Sequence, residues 1–184
     1  MMRHRLLPAL LAAGLIGGCG DDTPRTPEQA AHKVVAEAAR PVIGTPVPDF
    51  TLPSLTGGTP LSQAQLLGKT TLVNFWAPWC PPCVQELPEL ARVHAALQPK
   101  NGQVIGIALA GAEEVQAFLA QHPLPFPILL GDHEGRELAR KLGNAHAVLP
   151  YSVVIDAEGV IRAVHAGRLD EARARALLEP ALRH

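Results

Sequence analysis

Cysteine is nearly absent from this chain: there are three in 184 residues, too few for the disulfide lattice of a small secreted scaffold. Aromatic residues make up only 4%, which argues against a base-stacking platform for single-stranded nucleic acid. Neither sign of charge dominates. Sixteen Lys and Arg against seventeen Asp and Glu leave a formal net charge of −1, so no large basic surface points to nucleic acid. No internal repeat is visible. The leader run Leu6 to Ile16 stops short of the roughly 20 apolar residues that a membrane-spanning helix needs. What is present, 47% hydrophobic residues, suits one domain with a core of its own plus a leader.

The cysteines divide into a pair, Cys80 and Cys83, and a single Cys19. Arg3, His4 and Arg5 precede the apolar run, and Gly17-Gly18-Cys19 follows it, the order of a secretory signal peptide. Leu15-Ile16-Gly17-Gly18-Cys19 resembles a bacterial lipobox. That resemblance implies cleavage before Cys19 and lipidation of its sulfur and new amino group. An uncleaved anchor and an ordinary signal peptide with a chance cysteine are the alternatives. Several acyl chains on one residue would hold the protein at a membrane surface, at roughly 0.8 kcal/mol per buried CH₂. The expected organisation is a lipoprotein signal peptide over 1–18, a flexible tether over 19–42 and a folded domain over 43–184. The tether opens with the polar, Pro-broken Asp21 to Pro27, and its Ala-rich Glu28 to Arg40 has only a weak apolar face.

Within the domain, Val47 to Leu52 alternates as an edge strand does, with Pro48 tolerated there. Gly57-Gly58 marks a turn, and Leu61 to Leu67 suggests a short helix ended by Gly68. Thr70 to Trp76 is a near-continuous apolar strand, as in a sheet covered on both faces. Pro81 to Leu97 has apolar positions at helical spacing, with Pro88 inside it, where a missing N–H and a clash with the Val84 carbonyl bend a helix. Gln103 to Leu109 and Pro127 to Leu130 read as strands; Ala112 to Gln121 and Glu134 to Leu142 read as helices. Tyr151 to Ile155 and Val160 to His165 form a hairpin across Asp156 to Gly159, and Asp170 caps a last helix through Leu178. This order predicts an α/β domain with a mixed sheet and helices on both faces.

The chemistry lies in Asn74-Phe75-Trp76-Ala77-Pro78-Trp79-Cys80-Pro81-Pro82-Cys83. A buried strand runs into a helix whose N-terminus, with unpaired N–H groups and the positive end of its dipole, favours a thiolate at Cys80. The helical register keeps Cys83 beside it, so the pair can close into a disulfide. Cys80 is expected to be the exposed nucleophile and Cys83 the buried resolving thiol. Pro81 and Pro82 have no N–H and neither is cationic, which leaves the helix terminus and Cys83 to stabilise the thiolate. Glu86, one turn beyond Cys83 on the same face, leans back toward it. Spacing alone allows either a general base for Cys83 or an ordinary solvated helix residue.

With Gly44 to Leu52, Gly68-Lys69, the Trp-Cys-Pro-Pro-Cys loop, Glu86-Leu87-Pro88, Leu149-Pro150 and Val154 to Gly159, the chain resembles the TlpA/ResA-like thiol–disulfide oxidoreductases. These are thioredoxin-fold members of the redoxin superfamily, anchored in the bacterial cell envelope. The resemblance implies a thioredoxin fold with an N-terminal strand extension and a β-α insertion over 103–131. It implies that Cys80 attacks, Cys83 resolves and Glu86 works in the site. It also implies a cis Leu149–Pro150 bond whose backbone receives the partner strand, with Trp79, Pro81, Pro82, Leu149 and Pro150 as the client-binding set. The implied redox centre is the Cys80–Cys83 disulfide, with no organic cofactor or metal. The implied partners are protein disulfide or dithiol clients and a membrane thiol donor, on the periplasmic face of a membrane. Apocytochrome c, a copper-site assembly factor and misoxidised envelope proteins are the candidate clients. In this reading the protein is a disulfide reductase with a Cys80 pKa nearer that of thioredoxin, about 7, than that of DsbA, about 3.5. Asn74 stands where thioredoxin carries a buried Asp, which shifts acid–base work toward Glu86. Tyr151 replaces a small hydroxyl residue, and its ring either narrows the docking groove or packs on the Trp side.

Other readings are weighed against this one. A zinc site needs two more ligands, and His94 is the only histidine soon after the pair. His32, His122, His133, His146 and His165 read as solvated, His146 being nearest Pro150. A thiol peroxidase of the redoxin superfamily lacks its Pro-x-x-x-Thr-x-x-Cys setting at Cys80. A disulfide oxidase or isomerase would use the same pair in another direction, and a binding module would not need it.

Overall fold

In the computed structural model the described residues are 42–183 apart from 56 and 57, together with Thr26, Ala30 and Val34. The leader, Cys19, almost all of the tether and Gly57 of the expected Gly57-Gly58 turn lie outside the described residues. Among them the order is β1 (Thr51–Leu52), β2 (Leu61–Ser62), β3 (Thr70–Trp76), α1 (Pro81–Leu97), β4 (Gly102–Ala108), α2 (Ala112–Gln121), β5 (Ile128–Leu130), α3 (Asp132–Lys141), β6 (Tyr151–Ile155), β7 (Ile161–Ala166) and α4 (Glu171–Leu178).

β3 is buried along its whole length, as its apolar run predicts, because it sits at the centre of a five-stranded sheet ordered β5-β4-β3-β6-β7. Its partners are β4 in parallel and β6 antiparallel. β5 joins β4 in parallel and β7 joins β6 antiparallel. Side chains alternate across a strand, and β3 separates two cores accordingly. Leu72 and Trp76 pack with Leu87, Leu90 and Val93 of α1 and with Ala174 and Leu178 of α4. Val73 and Phe75 face the opposite layer, with Leu138 and Ala139 of α3 and with Leu52 and Leu66. Burial of each leucine, valine or phenylalanine among them is worth roughly 1.5–3 kcal/mol. Asn74 shares the parity of Leu72 and Trp76 and so points toward α1.

Two expectations are corrected. Val47 to Leu52 is not one edge strand: only Thr51–Leu52 is a strand, paired with Leu61–Ser62. Pro46, Pro48 and Pro53 lack the N–H groups a continuous ladder needs. The segment instead straps the sheet. The Val47 N–H donates to the Gly159 carbonyl at 2.9 Å, near one edge, and the Leu55 N–H to the Ile128 carbonyl at 2.8 Å, at the other. Both edges are thereby blunted against further pairing. Likewise Leu61 to Leu67 is not a helix but β2 followed by a 3₁₀ turn over Gln63–Leu66; the Ser62 N–H donates to Gln65 Oε1 at 2.7 Å.

The expected insertion over 103–131 also divides. β4 is integral to the sheet, running beside β3 from end to end. What is added at the edge is α2 and the three-residue β5. α1 carries Pro88 and continues through it to Leu97. Asp170 caps α4 as predicted, its carboxylate accepting from the Arg173 N–H at 2.7 Å. The hairpin turn is held by buried Asp156, which accepts from the Val160 N–H at 2.8 Å and pairs with Arg162.

Candidate active site

The end of β3 delivers the chain to the N-terminus of α1. Cys80 is the N-cap residue, in extended conformation, with Pro81 and Pro82 as the first helical residues. Proline suits those positions because their N–H groups would have no helical partner. The Cys80 N–H donates to the Ala77 carbonyl at 3.1 Å, and the Cys80 carbonyl accepts from the Val84 N–H at 3.1 Å. Cys80 and Cys83 are joined as a disulfide. The expected exposure of Cys80 is corrected: it is only 5% exposed and Cys83 is 0% exposed. Bonded to Cys83, it belongs to the apolar cluster of Trp76 and Ala77. Trp79, Pro81 and Pro82 are the exposed parts of the loop.

Cys80 reaches a groove of about 670 Å³. Trp79 and Pro81 line it from the loop, Arg136 and Arg140 from α3, and His146 and Leu149 from the segment that leads to β6. The Leu149–Pro150 bond is cis, as the resemblance implies. Pro150 is buried and its carbonyl accepts from the Gly167 N–H at 2.8 Å. Gly167 has φ of 88°, a conformation that favours glycine. The groove segment is braced by two residues that sequence reasoning left unassigned or open. The buried Asn144 side chain accepts from the Val148 N–H at 2.9 Å and donates to the Val148 carbonyl at 2.8 Å. Its only sequence signal is Asn after a helix-ending Gly, a common local turn former. Tyr151 is wholly buried against Phe75, and its hydroxyl donates to the Leu142 carbonyl at 2.9 Å. It therefore neither fills the groove nor packs on the Trp76 side, and burial pushes its pKa up.

Glu86 is not a solvated helix residue: it is 0% exposed. Its Oε1 accepts from Asn74 Nδ2 at 2.6 Å and its Oε2 from the Leu169 N–H at 2.7 Å. Asn74 Nδ2 also lies 3.1 Å from Ser152 Oγ. Burial pushes the Glu86 pKa up from 4.5 to about 7, against the opposing pull of the Leu169 N–H, the Asn74 amide and the Arg168 charge. A carboxyl poised near neutrality one turn from Cys83 can give and take a proton at working pH. Asn74 Oδ1 is buried with no partner among the described residues, so an amide turned over can accept from a protonated Glu86 as readily as Nδ2 donates to the ionised form.

The zinc reading loses its extra ligand, since His94 Nδ1 accepts from the Val104 N–H at 3.0 Å. Among the described residues no three His, Cys, Asp or Glu side chains converge as a metal site. No helix among them is long and apolar enough to cross a membrane. Arg136, Arg140 and Leu169 meet the site from distant parts of the chain, and no local pattern marks them.

The model of the AhpC/TSA family matches residues 43–164. The thiol:disulfide interchange protein DsbE of Pseudomonas fluorescens biotype C is 37% identical over 137 residues, covering 74% of this chain and 73% of the relative. The thiol-disulfide oxidoreductase ResA of Halalkalibacterium halodurans is 27% identical over 134 residues, covering 71% and 72%. Among solved structures, a DsbE from Chlorobium tepidum superposes with a TM-score of 0.67 at 28% identity, covering 76% of this chain and 97% of that one.

Proposed function

Because the chain belongs to the AhpC/TSA family and is a thiol–disulfide oxidoreductase of the DsbE/ResA-like, thioredoxin-fold kind, we propose that it is a disulfide reductase for envelope proteins, with Cys80 as nucleophile, Cys83 as resolving thiol and Glu86 as the proton carrier. The observation that carries this reading is the Cys80–Cys83 disulfide at a helix N-terminus, open on one side to a groove, with a buried carboxyl one turn further along the same helix.

The reaction runs from the dithiol form. The Cys80 thiolate attacks one sulfur of a client disulfide, forming a mixed disulfide and releasing the client's other sulfur as a thiolate, which takes a proton from water. Glu86 accepts the Cys83 thiol proton. The Cys83 thiolate attacks Cys80 Sγ, closing the internal disulfide and releasing the client's second thiolate, which is protonated in turn. The client gains two electrons and two protons; this chain is left oxidised. A thiol donor at the membrane then returns it to the dithiol. Trp79, Pro81, Pro82, Leu149 and Pro150 hold the client segment across the loop. The redox centre needs no organic cofactor or metal for these steps.

The leader and Cys19 support an extracytoplasmic, lipid-anchored protein, which intact mass of membrane-extracted material tests: a mature mass without lipid removes the anchor. Maturation of cytochrome c is the client pathway the DsbE and ResA likeness favours. The equilibrium reduction potential tests direction. A value near −270 mV fits a reductant, and one near −120 mV would make the protein an oxidant. Peroxide consumption without disulfide reduction would overturn the reading altogether.

A further inference from the structure

The groove beside Cys80 has a charge that the chain as a whole does not. Net charge is −1, yet the residues lining this groove include two arginines and a histidine and no carboxylate. Arg136 and Arg140 are four apart on α3 and so share a helix face, and both are exposed. Arg136 is anchored: one Nη donates to the Leu109 carbonyl at 2.9 Å. α3 comes close enough for this because Gly135 has no Cβ; an added one would sit 2.8 Å from Leu109 Cδ2. A guanidinium carries five N–H donors in a fixed fork, so most of Arg136 remains available to the groove. Among the described residues no carboxylate lies within ion-pair distance of it, whereas Arg140 is partly offset by Glu137.

We infer that this groove selects clients with acidic residues next to the reacting cysteine, and that Arg136, assisted by Arg140 and His146, is the specificity-determining residue. The inference rests on the disulfide-exchange reading above and narrows its substrate class. The occupant is an extended client segment lying across Trp79 and Leu149, with an Asp or Glu side chain reaching α3. Arginine binds a carboxylate through two parallel N–H···O bonds, which supplies selectivity, and the uncompensated positive charge steers encounter. A purely structural role does not account for the pair. The last-turn position of Arg140 suits the helix dipole, but Arg136 lies before that turn, its bond to the Leu109 carbonyl engages one Nη, and its side chain lines the groove.

The test uses the full chain, reduced, with three disulfide peptides identical except for the two residues flanking the cysteine: Glu, Gln or Lys. The readout is the ratio of kcat/KM between peptides, which cancels any change in Cys80 reactivity common to all three. The expected Glu-to-Lys ratio is about tenfold or more at low salt. It should shrink several-fold between about 0.05 and about 0.5 M salt. In the double variant Arg136→Gln, Arg140→Gln it should fall to about twofold or less, while Arg136→Lys, keeping the charge, should retain part of it. Equal rates for Glu and Lys peptides in the unaltered protein would overturn the proposal and leave disulfide exchange standing. So would a preference that survives in the double variant. Failure to reduce any peptide, or the uncharged hydroxyethyl disulfide, would bring down the exchange reading and the proposal together.

Discussion

Glu86 Oε1 lies 2.6 Å from Asn74 Nδ2, so the carboxyl of the active-site helix is held by the central strand of the sheet. Helix and strand meet because α1 packs over β3, and Asn74 is a buried polar residue on the face that meets it. With Leu169 holding the second oxygen, Glu86 is oriented by two different elements besides its own helix. Its buried state is therefore a property of the assembled fold, and the first tests follow from it.

Replacing Glu86 by Gln removes a carboxyl whose pKa burial raises from 4.5 to about 7. Between those values the folded protein holds a proton that the unfolded chain has released, so stability falls as pH rises. The loss should amount to about 3 kcal/mol across that window, complete above pH 7. Urea unfolding at pH 4.5 and pH 8 should show this fall in the parent and a flatter profile in Glu86→Gln. Resolution of the mixed disulfide should also slow by about tenfold or more and lose its inflection near neutrality. A rate unchanged across pH would remove Glu86 from the mechanism.

Asn74→Ala and Arg168→Gln both remove influences that hold the Glu86 pKa down. Each should move the midpoint of the pH–rate profile upward, Asn74→Ala also leaving Ser152 without this neighbour. Because Arg168 is exposed, its effect should fade in high salt, while that of Asn74 should not. A midpoint that moves down in either variant contradicts the assignment.

Cys80→Ser should abolish disulfide exchange with protein clients. Cys83→Ser should keep the first attack and lose the second, so that a mixed disulfide with the client accumulates and is seen as a mass addition under non-reducing conditions. Accumulation in Cys80→Ser instead would reverse the two roles.

Tyr151→Phe keeps the ring against Phe75 and deletes the hydroxyl that donates to the Leu142 carbonyl. The cost should be about 1–3 kcal/mol, the price of leaving a carbonyl unpaired in a buried setting, measured by denaturant midpoint. Since the ring lies in the layer away from Trp76, the intrinsic rate with a small uncharged disulfide should change less than stability does. A large rate gain with no loss of stability would put the ring back in the groove.

Much of the framework was legible because its signals are local. The unbroken apolar run from Thr70 to Trp76 marks a strand covered on both faces. The pair of prolines after Cys80 marks a helix start, and Asp170 marks another. The strap across the sheet resembles an edge strand in sequence because Val47 to Leu52 alternates, but Pro48 within it and Pro46 and Pro53 at its ends prevent a continuous ladder. Leu61 to Leu67 resembles a helix in sequence because only its first two residues pair, with Thr51–Leu52, before the chain closes a 3₁₀ turn, and no short window contains that pairing.

The residues alone determined that this chain carries a redox-capable cysteine pair where a buried strand turns into a helix, since strand burial, proline placement and cysteine spacing all act within a few residues. Tertiary packing decided the rest of the chemistry. It put Glu86 out of water and between two donors, one from β3 and one from the turn after β7. It also brought the arginines of α3 to the open side of Cys80. Desolvation and Coulomb forces depend on distance through space, and the distances that matter here join segments far apart in the chain.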